Sequence, residues 1–237
     1  MEFKNTSILA IETATPVCSV ALRTSDGRIV SRRTTGTGRH AEQLMPFIQQ
    51  LFDEAGITVK DLGAVVVSSG PGSFTGLRVA SSSLRGLLFA TGIPVIACNT
   101  LAGMAQFGFE QHPDHPTIHT VVDARRQHLY YQPFYLKSGI PHPVRSMEIT
   151  PLDQFADLIK PGELLAGTGA ERLPDEVKSS IQVIGTEAIH AESFLKMAQT
   201  WAELDCPESE LIKSVAIEEY QPAYYSDGPP PPKTKHG

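Results

Sequence analysis

The stretch LGAVVVSS at residues 62–69 constrains the fold of this chain more than any other. Its apolar residues are continuous rather than alternating with polar ones, a pattern typical of a strand that is buried on both faces. Such strands occur in parallel sheets that carry helices on both sides. The sequence therefore predicts an α/β protein with this strand inside a covered sheet.

The elements around this strand predict that the sheet is mixed. Three short strands precede it, and Asp26-Gly27 between the second and third is a hairpin signal. Helices and strands then alternate, as in parallel βαβ units. The predicted strands are ILAIE (8–12), VCSVALR (17–23), RIVSRRT (28–34) and PVIAC (94–98), and the predicted helices are 40–55, 73–91 and 100–107.

A second, less complete copy of this order follows the polar break at 110–116. Both copies open with a strand, an acidic residue and a turn, at Glu12 and again at Asp123. We interpret this as a duplicated fold. It predicts a first half at 1–109, a reduced second half at 110–225 and a disordered Pro-rich tail at 226–237. The second copy comprises strands at 118–124, 128–135 and 163–167, a helix after Pro151 and an amphipathic helix through Trp201.

Composition and charge exclude several classes of protein. The formal net charge is -6, which disfavours unaided binding of tRNA or DNA over a wide surface. No secretory signal and no apolar run of about 20 residues occur, so the prediction is a cytoplasmic protein with no membrane contact. Three cysteines without a CxxC pair give no zinc site. His112, His115 and His119 cluster, and His115 and His119 have the spacing of one helical face. Pro113 and Pro116 make a helix there improbable, so no metal site is predicted there either.

The Gly-rich segment between the buried strand and the next helix is the main candidate site. Glycines and a helix N-terminus can bind a phosphate or carboxylate, with Glu12 and Thr13 at the neighbouring strand end as further candidates. The alternative is a tight turn with Ser73 or Thr75 as the helix N-cap and no ligand. The candidate anion or nucleotide residues of the segment are Gly70, Gly72, Ser73, Thr75 and Gly76.

The same turns argue against catalysis. Ala14 and Ala124 stand where a phosphotransfer turn needs a glycine, because a Cβ atom keeps the backbone amides away from the phosphate. No nucleophile motif such as GxSxG occurs. We therefore predict no catalytic residue. The helix at 73–91 is apolar on nearly every face, which indicates burial against its own sheet and against a second helix or a partner.

Several stretches together resemble one known family, the TsaB family of bacterial tRNA threonylcarbamoyladenosine biosynthesis proteins. They are ILAIETATPVCSVAL (8–22), HAEQLMPFIQQLF (40–52), SSGPGSFTGLRVA (68–80), VVDARRQHLYY (121–131) and AGTGA (166–170). The GPGSFTGLR segment is the most specific, and the match is best over roughly the first 130 residues. The resemblance implies the actin, hexokinase and Hsp70-like ATPase fold, with two ribonuclease-H-like halves that have mixed sheets.

The resemblance also implies a non-catalytic role. Family members pair with TsaD, which transfers a threonylcarbamoyl group to the adenosine next to the anticodon in tRNAs that read codons beginning with adenosine. In this chain Thr100 and Met104 stand where TsaD-like proteins have two metal-binding histidines, so no metal is expected. The implied partners are TsaD in a heterodimer, TsaE, tRNA indirectly through the complex, and a second copy of the chain when TsaD is absent. No cofactor is expected on the isolated chain. In the complex, the resemblance allows ATP or ADP to bind.

We assign the TsaD interface to the helices at 40–55 and 73–91, with five residues predicted to point outward: Met45, Gln49, Ala80, Ser83 and Leu87. Three other functions compete with this assignment. One is an independent kinase or ATPase that uses Glu12, Thr13, Asp123 and the 167–169 loop. The others are a metal-dependent glycopeptidase and a homodimeric scaffold unrelated to tRNA.

Overall fold

A computed structural model describes residues 3, 5–36 and 38–225. The predicted tail at 226–237 lies outside the described residues. The twelve strands of the described part are β1 (Ser7–Glu12), β2 (Val17–Arg23), β3 (Ile29–Thr35), β4 (Leu62–Ser68), β5 (Val95–Cys98), β6 (Ile118–Asp123), β7 (His128–Lys137), β8 (Ile140–Pro143), β9 (Glu148–Pro151), β10 (Leu164–Ala166), β11 (Gln182–Ile184) and β12 (Ile212–Val215). The α-helices of that part are α1 (His40–Ala55), α2 (Phe74–Leu87), α3 (Thr100–Gln111), α4 (Asp175–Ser180) and α5 (Ala191–Glu203).

The first sheet has the order β12-β5-β4-β1-β2-β3. Strand β4 pairs in parallel with β1 and β5, whereas β2 and β3 follow β1 as an antiparallel meander. The continuous apolar run thus lies between two parallel neighbours, with the side chains of Ala64 and Val66 facing one core and those of Val65 and Val67 the other. This confirms the predicted α/β class and the mixed sheet.

Helices cover both faces of this sheet because its strands are apolar on both. Helices α1 and α2 pack on the face that carries Leu9 and Ile11. Helices α3 and α5 pack on the opposite face, where Ile8 and Ala10 lie. Ser19 Oγ accepts a hydrogen bond from the Ala191 amide at 3.0 Å, which fixes the start of α5 against β2. Helix α5 is therefore shared between the second copy of the motif and the first sheet.

The second sheet has the order β11-β10-β6-β7-β8. Strand β9 pairs with the first part of β7, before the part that pairs with β8. Its inner face joins the core around α3 and α5, through residues such as Val122 and Phe134. Its outer face is covered by a 3-10 helix at Leu152–Leu158, which stands where the sequence predicts an ordinary helix, and by the short α4. The second half thus has less helical cover than the first, as predicted.

The predicted division at residue 109 needs one correction. Strand β12 belongs to the range assigned to the second half, but it pairs antiparallel with β5 and forms the edge of the first sheet. The chain therefore returns to the first sheet after α5. Among the described residues, no helix is long and apolar enough to cross a membrane.

Candidate functional site

The turn after β1 and the Gly-rich segment before α2 are pressed directly against each other. The Ser73 amide donates to the Ala14 carbonyl oxygen at 2.6 Å, and the Thr13 hydroxyl donates to the Gly76 carbonyl oxygen at 2.9 Å. The Ser68 hydroxyl, at the end of β4, accepts from the Thr13 amide at 3.3 Å. The structure therefore brings together the two stretches from which the candidate nucleotide residues come.

Two glycines make this close approach possible. A Cβ atom on Gly76 would lie well inside 3.0 Å of the Thr13 carbonyl oxygen, and one on Gly72 would lie equally close to the Ala14 carbonyl oxygen. Gly72 also has a φ of +158°. Gly76 has no such positive φ, so a side chain is excluded there only by the contact with the turn. Both positions exclude a side chain because another part of the backbone occupies the space. The glycines of the segment thus have a packing role.

Several amides of the segment already have partners within the chain. The Gly70 amide donates to Thr100 Oγ1 at 3.1 Å, and the Gly76 amide donates to Ser73 Oγ at 3.1 Å. The second bond makes Ser73 the N-cap of α2, as the ligand-free interpretation predicts. Thr75 is exposed on the first turn of the helix. Binding of an anion at this segment stays a prediction.

Glu12 has no solvent-exposed surface. Its carboxyl group accepts from the Ala14 amide at 2.7 Å and from the Thr15 hydroxyl at 3.1 Å. Burial nevertheless dominates and raises the pKa of Glu12 to about 8, because a charged carboxylate is costly to remove from water. At neutral pH this side chain is therefore mainly a neutral acid.

His40, at the start of α1, holds the same turn from the other side. Its Nε2 atom lies 2.8 Å from the Thr15 carbonyl oxygen and 3.1 Å from the Val17 carbonyl oxygen. Two carbonyl oxygens can only accept, so Nε2 carries a proton. This buried histidine ties α1 to the turn after β1.

The corresponding turn of the second half is closed in a similar way. Asp123 pairs with Arg172 and also accepts from the Arg125 amide at 2.7 Å. A Cβ atom on Gly167, whose φ is +115°, would collide with the Val121 carbonyl oxygen and with Met104 Sδ. The glycine loop at 167–169 thus packs on β6, as the Gly-rich segment packs on the first turn.

Thr100 and Met104, which the resemblance aligns with the two metal-binding histidines expected in TsaD-like chains, are both fully buried. The Thr100 hydroxyl accepts from the Gly70 amide, while Met104 belongs to the core shared by the two sheets. Among the residues that the structure describes, no group of three or more His, Cys, Asp or Glu side chains could hold a metal ion. His119, from the histidine-rich region, lies in β6 with its Nδ1 atom 2.7 Å from the Tyr131 hydroxyl.

A C-terminal strap at 220–225, which the sequence analysis missed, crosses the Gly-rich segment. The Ala223 amide donates to the Ser69 carbonyl oxygen at 2.7 Å, and Arg85 of α2 donates to the Tyr220 carbonyl oxygen at 2.9 Å. At its far end, the Tyr130 hydroxyl donates to the Tyr225 carbonyl oxygen at 2.8 Å. The strap thus connects α2 to the second sheet.

The predicted interface residues divide into exposed and buried groups. Met45 and Gln49 are exposed on α1, and Ser83 and Leu87 are half-buried on α2. Ala80 is fully buried, so the prediction that it points outward is wrong. Ala80 lies one turn before Leu84 and joins it in the core against the sheet, because its small side chain lets α2 approach closely.

The exposed side of α1 and α2 forms a shallow groove of about 450 Å³, which we call the α1–α2 groove. It is lined by Ala41, Phe74, Thr75, Arg78, Val79, Ser82 and Ser83. Phe74 is 51% exposed. The centroid of its ring lies 4.2 Å from the Arg78 guanidinium carbon and 5.0 Å from the centroid of the Tyr224 ring. Phe89, just past the end of α2, is 82% exposed. These exposed aromatic residues were not among the interface residues predicted from the sequence.

We expect Ala80→Glu to destabilise the fold by about 3 kcal/mol or more, because it places an unpaired carboxylate in the core. Urea denaturation measures this loss. The control is Ala41→Glu, at an exposed position on α1, which should change the free energy of unfolding by no more than about 0.5 kcal/mol. Equal stability of the two variants would contradict the burial of Ala80.

The sequence and the structure of this chain are similar to those of known proteins. The family model described as "TsaD: tRNA N6-adenosine threonylcarbamoyltransferase" matches residues 34–139. The tRNA threonylcarbamoyladenosine biosynthesis protein TsaB of Escherichia coli is 29% identical over 221 residues, which cover 92% of this chain and 93% of that protein. The solved structure of YeaZ from Pseudomonas aeruginosa superimposes with a TM-score of 0.76 at 30% identity, covering 93% of this chain and all of that one.

Proposed function

The chain belongs to the TsaB (YeaZ) family, and from this premise we propose that it acts in the cytoplasm as a non-catalytic partner of a TsaD-type transferase. Its role is in the biosynthesis of tRNA threonylcarbamoyladenosine, as the name of the Escherichia coli relative states for that protein. The modified position is the adenosine beside the anticodon in tRNAs that read codons beginning with adenosine. The match to this relative over 92% of the chain supports the pathway, and the contacts around the turn after β1 support the non-catalytic role.

The observation that supports the non-catalytic role is the burial of the turn after β1. Glu12 is completely buried, its pKa is raised, and the Gly-rich segment is packed onto the turn by direct hydrogen bonds. A nucleotide-dependent enzyme that used Glu12 would need a carboxylate within reach of a phosphate or its metal ion. The geometry therefore favours a partner role over the independent kinase.

The α1–α2 groove is the surface that we propose for TsaD. Residues 34–139, which match the TsaD family model, include both helices, so a TsaD-type paralogue is expected to carry equivalent ones. Two related chains can then pack these helices against each other around an approximate two-fold axis. Exposed apolar side chains such as Met45 and Phe74 provide the contact area. Without TsaD, the same groove is proposed to pair with a second copy of the chain.

The other proposed partners follow from the heterodimer. The acidic chain does not provide a broad phosphate-binding surface, so tRNA is proposed to bind mainly through TsaD. TsaE is proposed to join the assembled pair, and ATP or ADP to bind there rather than to the isolated chain. Depletion of the chain from its native cell should lower threonylcarbamoyladenosine in bulk tRNA, as measured by nucleoside mass spectrometry. Undiminished modification after depletion would contradict the proposed pathway.

We expect Ser83→Arg to reduce co-purification with the native TsaD-type protein at least tenfold, because a long charged side chain would fill the α1–α2 groove. Tagged chains and densitometry of the eluted pair measure this change. The matched control is Ser179→Arg, at an exposed position on α4, which should leave the yield of the pair unchanged. Circular dichroism melting shows whether both variants remain folded. A folded Ser83→Arg variant that still elutes with a full equivalent of TsaD would remove the groove from the interface.

A further inference from the structure

A cavity of about 600 Å³ lies between the β7–β8 hairpin, helix α5 and the chain around residues 206–212. Its volume is in the range of binding sites, and nothing in the proposed partner role uses it. Most of its wall is apolar and includes the side chains of Ile140, Met147, Met197, Trp201, Leu211 and Ile212.

The last residue that the structure describes, Tyr225, lies in the wall of this cavity. Its position is fixed by Tyr130, whose hydroxyl donates to the Tyr225 carbonyl oxygen at 2.8 Å and whose ring centroid lies 6.0 Å from that of Tyr225. Only three residues separate Tyr225 from Pro229. The run of prolines therefore begins within about 14 Å of the cavity wall, the span of four extended residues.

The proline run at 229–232 has the chemistry that an apolar cavity requires. Proline has no backbone N–H, so these residues bring no amide donor into the cavity that would need a partner there. Four consecutive prolines favour the extended polyproline II helix, which binds in grooves lined by aromatic side chains. The cavity has two such side chains, Trp201 and Tyr225. The indole of Trp201 is oriented by its Nε1 atom, which donates to the Pro207 carbonyl oxygen at 3.2 Å.

Charge at the edge of the cavity is complementary to the residues that follow the prolines. Three exposed acidic residues, which we call the acidic rim, lie in the bordering segment: Asp205, Glu208 and Glu210. Glu210 itself lines the cavity. Arg145 lines it too, but its Nε atom lies 3.4 Å from Glu148 in an ion pair. Lys233 and Lys235 come directly after the proline run, so both are placed to approach the acidic rim.

We propose that residues 229–232 of the same chain occupy this cavity, with Lys233 and Lys235 beside the acidic rim. The short connection to Tyr225 favours this occupant over a separate molecule, because a short linker gives an effective concentration of the order of millimolar. The sequence alone predicts disorder for the tail, and the proposal instead gives its proline run a binding site. It does not depend on the proposed partner role, because the groove for TsaD lies on α1 and α2.

The cavity contains two natural reporters of occupancy. Trp201 is the only tryptophan of the chain, so its fluorescence reports on this wall alone. Cys206 also lines the cavity and is the partly exposed one of the three free thiols. Cys18 and Cys98 are buried, and burial raises the pKa of both thiols, which suppresses their reaction. Protection of Cys206 from a thiol reagent therefore measures occupancy.

The test compares the unaltered chain with a variant in which all four prolines at 229–232 are replaced by glycine, which keeps the length and charge of the tail. We expect labelling of Cys206 to be at least about fivefold faster in this variant, and acrylamide to quench Trp201 more strongly, because glycine has neither the ring nor the fixed φ of proline. Thr234→Gly, which leaves the proline run intact, is the control and should label at the unaltered rate. Equal labelling of the proline variant and the unaltered chain would overturn the proposal.

Two further measurements identify the occupant. Protection by the same chain does not depend on protein concentration, so the labelling rate should stay constant over a hundredfold dilution. A rate that rises on dilution would mean that a second copy supplies the prolines, which would also overturn the proposal. Lys233→Glu combined with Lys235→Glu should speed labelling at low salt through repulsion by the acidic rim, and an unchanged rate would remove the rim from the site. Co-purification with TsaD is measured separately, so failure of these tests leaves the partner role standing.

Discussion

Replacing Gly76 by alanine is expected to abolish stable folding or to lower the free energy of unfolding by at least about 3 kcal/mol. The added Cβ atom would lie well inside 3.0 Å of the Thr13 carbonyl oxygen, where neither partner is a flexible side chain. Relief of the clash requires α2 to move away from the turn after β1. That movement would break the Ser73–Ala14 hydrogen bond and would open the core beneath Leu77 and Ala80.

Gly86, ten residues later on the same helix, provides the control. A Cβ atom at this position meets nothing within 4 Å, and its backbone has no positive φ. Gly86→Ala should therefore stabilise the chain by about 0.5–1 kcal/mol through helix propensity. Chemical denaturation of both variants measures the contrast. A Gly76→Ala variant as stable as Gly86→Ala would mean that the turn and α2 are not in the described contact, and the packing role of the Gly-rich segment would be lost.

This pair of variants also bears on how the Gly-rich segment is interpreted. Glycines between a strand and a helix are compatible both with a bound phosphate and with a close backbone contact, and the sequence alone does not distinguish them. In this structure Gly72 and Gly76 face carbonyl oxygens of the chain itself. Carbonyl oxygens repel an anion, so the packing interpretation explains these two positions better than phosphate binding does.

Most secondary structure of the first half was predictable because its signals are local. The continuous apolar run of β4, the Asp-Gly hairpin before β3 and the Gly56 C-cap of α1 each determine an element through nearby residues. The class of fold and the mixed sheet follow from the order of these elements. The structure confirms both.

Features that depend on distant contacts were not predictable in this way. Strand β12 contains ordinary strand residues, and nothing in them indicates pairing with β5 more than 110 residues earlier. Ala80 and Ser83 both look small and neutral in sequence, but the register of α2 buries the first and leaves the second at the groove. The sequence of the strap at 220–225 has neither helical nor strand periodicity. The strap is held in place by hydrogen bonds to three distant residues, Ser69, Arg85 and Tyr130.

Glu12→Gln is the second variant with a large expected effect, and its sign depends on pH. The folded-state pKa of Glu12 is about 8, above the ordinary value of 4.5, so the folded state holds the proton more tightly than the unfolded state. The stability linked to that proton is fully present below about pH 4.5 and is lost as the pH rises to about 8. The corresponding loss in the unaltered protein is at most about 5 kcal/mol, at about 1.4 kcal/mol per pKa unit.

Glutamine has the shape of the neutral acid but does not titrate. Its side-chain oxygen can accept from the Ala14 amide, and its amino group can donate to the Thr15 hydroxyl oxygen, which keeps both contacts of the turn. The Glu12→Gln variant should therefore match the unaltered chain near pH 4 and exceed its stability by several kcal/mol at pH 8. Urea denaturation at half-unit steps of pH measures the difference curve. Glu218→Gln, at an exposed position, should give a flat curve over the same range.

The shape of this curve separates a structural acid from a ligand-binding one. A difference that grows between pH 5 and pH 8 means that Glu12 is neutral in the folded chain at physiological pH. A neutral carboxyl group is a poor ligand for a magnesium ion beside a nucleotide, which agrees with a partner that performs no phosphate chemistry of its own. A flat curve would mean that Glu12 stays ionised despite its burial, and the turn after β1 would again be a candidate for nucleotide binding.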